Sequence, residues 1–197
     1  MIIHKLLKSR RSIKEELALA LFTKKHKISS RRIHEGSIIN LRIDQLRLED
    51  GNTTTREVIE HPGGVVVICQ PKPDQVVLIK QYRYSLDREL IELPAGRIDN
   101  GEEPIEAAKR ELIEETGYQA KKWQSKGVFA TAPGFCNELL HLFLASDVAV
   151  VERQLDDDEE IEVITLPIKQ AWALATSGEM IDTKTIAALA LILQEQA

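Results

Sequence analysis

The sequence predicts an α+β fold, a mixed sheet flanked by helices and preceded by a small antiparallel β subdomain. Three observations carry that prediction. Strand-like and helix-like stretches do not alternate regularly, which argues against a doubly wound parallel sheet. Residues 65–69 are a short, wholly apolar run of the kind buried on both faces of a central strand. Ahead of it, Ile39, Leu41 and Ile43 alternate with polar neighbours and lead to the turn signal Asp50-Gly51-Asn52, which reads as a hairpin.

In chain order, Ser12-Ile13-Lys14-Glu15 has the S-x-x-E form of a capping box, in which hydroxyl and carboxylate satisfy the free amide donors of a starting helix. A helix over residues 12–25 is therefore expected, within a basic arm over residues 1–36. The alternation that begins at Ser37 changes parity at Leu46 and Leu48, so a bulge or bend is expected near Asp44-Gln45 before the hairpin continues into residues 53–60. Pro62-Gly63-Gly64 marks a boundary, giving a β subdomain over 37–62 and a main domain over 63–197. Further strands are expected at 75–84, 89–93, 127–131, 139–145 and 160–166. Helices are expected at 104–116, at 168–176 ending near Gly178, and at 183–194 with Asp182 as N-cap.

The 197 residues are 43% hydrophobic and carry a formal net charge of -5, enough chain to bury one sizeable core. No apolar run reaches the roughly 20 residues that a bilayer crossing needs, and the first residues lack the apolar stretch and cleavage site of a secretory signal. A soluble, cytoplasmic protein without a membrane partner is the expectation. Cys69 and Cys136 stand at no disulfide-framework or zinc spacing and read as ordinary thiols. Charge is unevenly spread: residues 1–33 hold ten Lys or Arg against Glu15 and Glu16, a net of +8 that leaves -13 for the rest. An acidic body argues against nucleic acid as the main ligand, while gathered carboxylates suit a divalent cation. The basic arm reads first as a solvated amphipathic helix, with RNA, a membrane surface or an acidic partner subunit as the alternatives.

The chemistry concentrates in residues 96–118. Gly96 and Gly101 bracket a loop, Pro104 suits a first helical turn because its missing N–H costs nothing there, and Gly117 suits the C-terminal stop. Within the helix Glu111, Glu114 and Glu115 fall at i, i+3 and i+4, so three carboxylates share one side. Ala107, Ala108 and Leu112 cover the other side. Like charges at that spacing cost a few tenths of a kcal/mol per pair, and the helix dipole also disfavours anions near its C-terminus. Two agents can offset this: Arg110, which can fork onto a carboxylate, and a hard divalent cation, which takes carboxylate oxygens together with water and substrate phosphate.

The segment resembles the box of the Nudix hydrolase superfamily, G-x5-E-x7-R-E-U-x-E-E-x-G-U with U a bulky apolar residue. It matches at Gly96, Glu102, Arg110, Glu111, Leu112, Glu114, Glu115, Gly117 and, for the last U, Tyr118. Seven single-residue requirements at fixed spacing arise by chance on the order of once in a billion start positions. The resemblance implies a loop–helix–loop set in an α/β/α sandwich and Mg2+-dependent hydrolysis of a nucleoside diphosphate linked to another group, with Mn2+ a possible substitute. It further implies that the carbonyl of Ala95 binds metal with Glu111 and Glu115, that Glu114 and Glu102 complete or support the cluster, and that Gly96 and Arg110 shape it.

Outside the box, Thr131-Ala132-Pro133-Gly134-Phe135 resembles the downstream proline loop of ADP-ribose pyrophosphatases. Residues 55–63, Gln81-Tyr82-Arg83-Tyr84 and Glu92-Leu93-Pro94-Ala95-Gly96 are similar to the same subfamily. ADP-ribose is thus the expected substrate, with AMP and ribose 5-phosphate as products. An acidic site can hold its pyrophosphate only through metal ions and a few placed cations, for which Arg83 and Arg56 are the candidates. Pro133 and Gly134 are expected beside the substrate. In the resembled subfamily the N-terminal strands exchange between subunits, which implies a homodimer in which Arg56 serves the neighbouring site. The base that activates water is expected in the acidic run 156–160, with Glu159 first, Glu160 next and Asp158 third.

Two other readings stand beside this one. The chain could hydrolyse another NDP-X, such as GDP-mannose or a flavin or nicotinamide dinucleotide. It could instead be a Nudix-fold regulator that senses such ligands, but regulators of that kind have degraded box glutamates and an added winged helix. His61 and His141 read as packed or hydrogen-bonded residues, with no second His or Cys at ligand spacing. Trp123 and Trp172 read as core or interface aromatics, either of which could stack on adenine.

Overall fold

The computed structural model describes residues 22–155 and 160–196. The chain forms two compact units, one ending at Glu60 and the other starting at His61.

In the N-terminal unit, strands β1 (Lys27–Glu35), β2 (Asn40–Arg47) and β3 (Thr53–Glu60) form an antiparallel sheet in that order. The expected helical arm therefore needs correction. Residues 1–21 lie outside the described residues, Lys24–His26 form a single 3-10 turn, and Lys27–Glu35 is a strand. Every residue of β1 is exposed, so it shows no buried/exposed alternation that its sequence could have revealed. Its extended state comes from pairing with β2. That pairing sets Arg32 opposite Arg42, a like-charge pair that would be destabilising. Glu60 accepts from both guanidiniums and offsets the repulsion.

The expected bulge near Asp44-Gln45 is also absent: β2 and β3 pair without interruption from Asn40↔Glu60 to Arg47↔Thr53. The parity change has another cause. Asp44 and Leu46 are both buried on one face of β2, and Asp44 lies inside because Ser30 Oγ (2.6 Å) and Arg42 Nε (3.1 Å) donate to it. Burial alone would raise the Asp44 carboxyl, but these two donors outweigh it and hold it below the usual carboxylate range. Register shifts fall instead within β1, between Lys27 and Ser29 and between Arg32 and His34.

The second unit is built on a mixed sheet in the order β10-β5-β4-β9-β8, with β6 paired to β5 and β7 to β4. The strands are β4 (Gly64–Gln70), β5 (Gln75–Arg83), β6 (Arg88–Glu92), β7 (Ala95–Arg97), β8 (Tyr118–Ala130), β9 (Leu139–Val150) and β10 (Ile161–Pro167). Only the β4–β9 pairing is parallel among these. The central position of β4 explains its composition. Val66 and Ile68 face one side, against Ile168, Ala171, Met180, Leu189 and Ile192 of the C-terminal helices and the loop between them. Val65, Val67 and Cys69 face the other, against Ala107, Ala108 and Leu112. β-branched residues suit such a strand because they pack well on a pleated surface from either side. Burial pushes the Cys69 thiol up to about 12.

Helix α1 (Pro104–Thr116) covers one face, and α2 (Ile168–Ser177) and α3 (Thr183–Gln196) the other. The result is the expected α/β/α sandwich. β8 and β9 run longer than their apolar content suggests: β8, at the edge of the sheet, exposes Lys121, Lys122 and Gln124 and shifts register between Ser125 and Gly127, where Gly127 adopts a φ of 111°. Trp123 packs edge-on against Phe143, ring centroids 6.4 Å apart, as a core aromatic. No helix among the described residues is long and apolar enough to cross a membrane.

Candidate active site

α1 starts where Pro104 occupies its first turn and stops at Gly117, whose φ of 68° is left-handed and whose N–H returns to Ile113 O at 2.9 Å. Packing Ala107, Ala108 and Leu112 onto the sheet leaves the glutamate side facing the loop before the helix. There the loop strand β7 passes so close that a Cβ at Gly96 would lie 2.0 Å from the Glu111 carboxyl. Position 96 must be glycine for Glu111 to sit where it does.

Arg110 organises the carboxylates. Its Nε and Nη2 donate in a fork to Glu102 at 3.0 and 2.9 Å, and Nη1 donates to Glu111 at 2.8 Å and to Glu114 at 2.9 Å. Nη2 also reaches Arg97 O at 3.0 Å, which ties the helix to β7. The Arg110 fork holds the Glu102 carboxyl below the usual range, reinforced by the Asp99 N–H at 3.0 Å. Glu115 sits apart from this fork: only 2% exposed, it accepts from Ala95 N at 2.9 Å. The two sides of the cluster are thus an arginine-bound pair, Glu111 and Glu114, and a buried carboxylate bound to the backbone of residue 95.

Ala95, Gly96 and Arg97 also form part of the wall of a cleft of about 740 Å³. Arg83, at the end of β5, lines the same cleft and donates in a fork to Glu92, with Nε and Nη2 each 2.7 Å from a carboxylate oxygen. Burial disfavours the charge on Glu92, which is 1% exposed, but Arg83 and Lys184 together outweigh that and hold its carboxyl below the usual range. On another part of the wall stand His61, Thr131 and Glu138. Thr131 Oγ1 donates to Glu138 at 2.5 Å, and Asn137 Oδ1 accepts from His61 N at 2.8 Å.

The structure therefore brings together Ala95, Gly96, Glu102, Arg110, Glu111, Glu114 and Glu115 around one loop and helix, with Arg83 on the adjoining wall. Pro133 and Gly134 lie in an exposed turn just beyond Thr131. Arg56 belongs to the N-terminal unit, where it sits on β3 with its guanidinium 4.1 Å from the Phe22 ring centroid and donates to Thr55 O at 2.7 Å. Glu159 and Asp158 lie outside the described residues. Glu160 is exposed and immediately precedes β10, whose Ile161 is registered opposite Gln81, two residues from Arg83.

Sequence reading missed Glu92 and Lys184 as members of the site. A lone acid in the apolar stretch Leu90-Ile91-Glu92-Leu93 was the available signal for the first; only the fold brings Lys184 to it.

Among the described residues no three His, Cys, Asp or Glu side chains already converge as a ready coordination sphere; Arg110 and Ala95 N hold the carboxylates instead. The donor chemistry nevertheless fits a hard divalent cation: carboxylate and carbonyl oxygens alone, packed against a glycine that leaves room for nothing else.

Comparison with known proteins agrees with this geometry. A family model described as NUDIX domain matches residues 60–189. The chain is 39% identical over 172 residues to the ADP-ribose pyrophosphatase of Bacillus subtilis, covering 86% of this chain and 93% of that one. It is also 39% identical over 163 residues to the ADP-ribose pyrophosphatase of Mycobacterium tuberculosis, covering 81% and 79%. A crystal structure titled as an ADP compounds hydrolase superposes with a TM-score of 0.76 at 20% identity over 86% of this chain and 92% of that one, which shows a shared fold.

Proposed function

The chain belongs to the NUDIX domain family, and from that premise we propose that it hydrolyses the pyrophosphate bond of ADP-ribose to AMP and ribose 5-phosphate, with Mg2+ as the natural cation and Mn2+ as a substitute. One observation carries the reading: Arg110 and Gly96 hold Glu111 and Glu114 against the same loop whose Ala95 amide holds Glu115. Ala95 O, Glu111 and Glu115 would hold the cation, with Glu114 and Glu102 in support. When bound, a divalent cation neutralises phosphate charge and lowers the pKa of a coordinated water.

The chain's own groups supply the rest. Arg83, locked by Glu92, offers a fixed cation to one phosphate of the substrate. Arg56 offers another, to the neighbouring site of a homodimer built through the N-terminal sheets. The loop carrying Pro133 and Gly134 borders the substrate. Glu159, with Glu160 as the next choice, takes a proton from water; the water oxygen attacks one phosphorus in line, and the bridging P–O bond breaks to release the two monophosphates. The register of β10 against β5 supports this, since it delivers Glu160 to the end of β5 that carries Arg83.

The test is incubation of the purified protein with ADP-ribose and Mg2+, with products separated by chromatography, beside GDP-mannose and a nicotinamide dinucleotide. AMP and ribose 5-phosphate formed faster than any product of the other two support the proposal. A preference for GDP-mannose moves the substrate to the sugar nucleotides, and no hydrolysis of ADP-ribose refutes the proposal.

A further inference from the structure

Residues 92–95 carry Ala95 into the cleft wall, and each of the four is fixed by a separate anchor. Ala95 N donates to Glu115, Pro94 O accepts from Val67 N at 2.9 Å, Leu93 N donates to Thr185 Oγ1 at 2.8 Å, and the Glu92 carboxylate is held by Arg83 and Lys184. Two of the four anchors come from one place, the first turn of α3. There Thr185 is fully buried. Its hydroxyl lies 2.5 Å from Asp182 Oδ2, an acceptor-only carboxylate, so its single proton is committed to Asp182 and its lone pair is left for the Leu93 N–H. Asp182 is fixed in turn as the helix N-cap, accepting from Thr185 N at 3.0 Å and pairing with Lys184 at 3.0 Å.

We propose that Thr185 is a positioning residue for the cation site: the one-way chain Leu93 N–H to Thr185 O–H to Asp182 carboxylate sets the peptide two residues before Ala95, and so the direction of the Ala95 carbonyl relative to Glu111 and Glu115. The inference rests on the reading that Ala95, Glu111 and Glu115 hold a divalent cation. Its physical basis is that valine would fill the same space as threonine yet leave a buried Leu93 N–H without an acceptor. An unpaired buried amide is costly enough that the segment shifts to recover a partner. Outer partners of a metal site commonly change affinity 10- to 100-fold when lost.

The experiment compares the full-length protein with Thr185→Val, Thr185→Ala and Thr185→Ser. Mn2+ uptake is measured directly by the electron paramagnetic resonance signal of free Mn2+ without substrate, and melting temperature is followed in parallel. Thr185→Val is expected to bind Mn2+ about tenfold or more weakly, and its Mg2+ requirement for half-maximal turnover should rise in proportion, with little change in KM for ADP-ribose at saturating cation. Thr185→Ser, which keeps the hydroxyl, should stay within about twofold of the wild type. Thr185→Ala serves if the valine variant does not fold, with the same weakening expected. Variants that melt lower but bind Mn2+ as the wild type does would make Thr185 a packing residue and overturn the inference alone. A wild-type protein that takes up no Mn2+ would overturn the cation reading and this inference with it.

Discussion

Gly96→Ala is the sharpest perturbation of the site, because it adds one methyl group at the point where loop and helix meet. The added Cβ would lie 2.0 Å from both the carboxyl carbon and Oε1 of Glu111, far inside van der Waals contact. What it strikes is the end of a flexible side chain, so the clash is relieved by swinging the Glu111 carboxylate away rather than by moving β7. That rotation breaks the 2.8 Å bond from Arg110. A charge-assisted hydrogen bond is worth about 1.5–3 kcal/mol when buried. Arg110 is 31% exposed and keeps its fork on Glu102, so a net cost of about 1 kcal/mol is expected. For a chain of this length that lowers Tm by about 3 °C. The effect on chemistry should be far larger, since a displaced ligand at a metal site commonly costs 10- to 100-fold in affinity or activity. Thermal melting, direct Mn2+ titration and ADP-ribose turnover on the same preparation separate the two effects. Wild-type turnover and cation affinity in Gly96→Ala would refute the placement of Glu111 as a ligand. A Tm loss above about 10 °C would show that the backbone, not the side chain, had yielded.

Three further outcomes follow from the same geometry. Glu159→Gln should lower kcat about a hundredfold or more while leaving KM for ADP-ribose nearly unchanged; near-normal turnover there, with loss in Glu160→Gln, would transfer the base to Glu160. Treatment with EDTA should abolish hydrolysis, with recovery on adding Mg2+ or Mn2+, while far-ultraviolet circular dichroism stays constant because Arg110 already holds the carboxylates; turnover that survives chelation would remove the cation from the reaction. Glu92 has its carboxyl held below the ordinary 4.5 in the folded protein, so the stability it contributes is complete above that pH and is lost as pH falls through the lower folded value. The stability gap between wild type and Glu92→Gln, measured by urea unfolding, should therefore be widest at neutral pH and close on acidification; a gap that stays constant below pH ~4 would place the stabilisation elsewhere.

Where the sequence was legible, a local rule was strong enough to stand alone. The bounds of α1 follow from Pro104 and Gly117, and the two-faced burial of β4 from its run of β-branched residues. Asp182 was readable as an N-cap because its carboxylate caps a backbone amide three residues on. The failures share one cause, that pairing with a distant strand overrides local pattern. β1 has no buried face of its own, so nothing in Lys27–Glu35 separates a strand from a solvated helix. Asp44 looks like a break in alternation because its partner Ser30 lies in a strand whose own sequence reads as an arm. Of the site, the box was legible because one short helix carries most of it, whereas Glu92, Lys184 and Thr185 assemble only when α3 packs beneath β6.

That contrast bears on how the site tolerates its own charge. A helix with Glu111, Glu114 and Glu115 on one side is destabilised by itself, yet the fold separates the burden by depth. The two outer carboxylates, partly exposed, share one guanidinium with Glu102, so their repulsion is screened by solvent and by Arg110. The inner one, Glu115, has no water to screen it and is given the Ala95 amide, with Arg83 contributing at longer range. Arg83 is itself held by a second buried acid, Glu92, which Lys184 balances. Each buried carboxylate of this region, Glu115 and Glu92, is thus bound by a partner of the protein's own. On the proposed reading, a cation entering there would displace arginine bonds that are worth little at a partly exposed site, and the deeply buried contacts to residues 92–95 would stay in place. The depth of Glu115 and Glu92 and the partial exposure of Glu111 and Glu114 would then confine the exchange to the outer contacts, which is what the Gly96→Ala and Thr185→Val variants probe from the two sides.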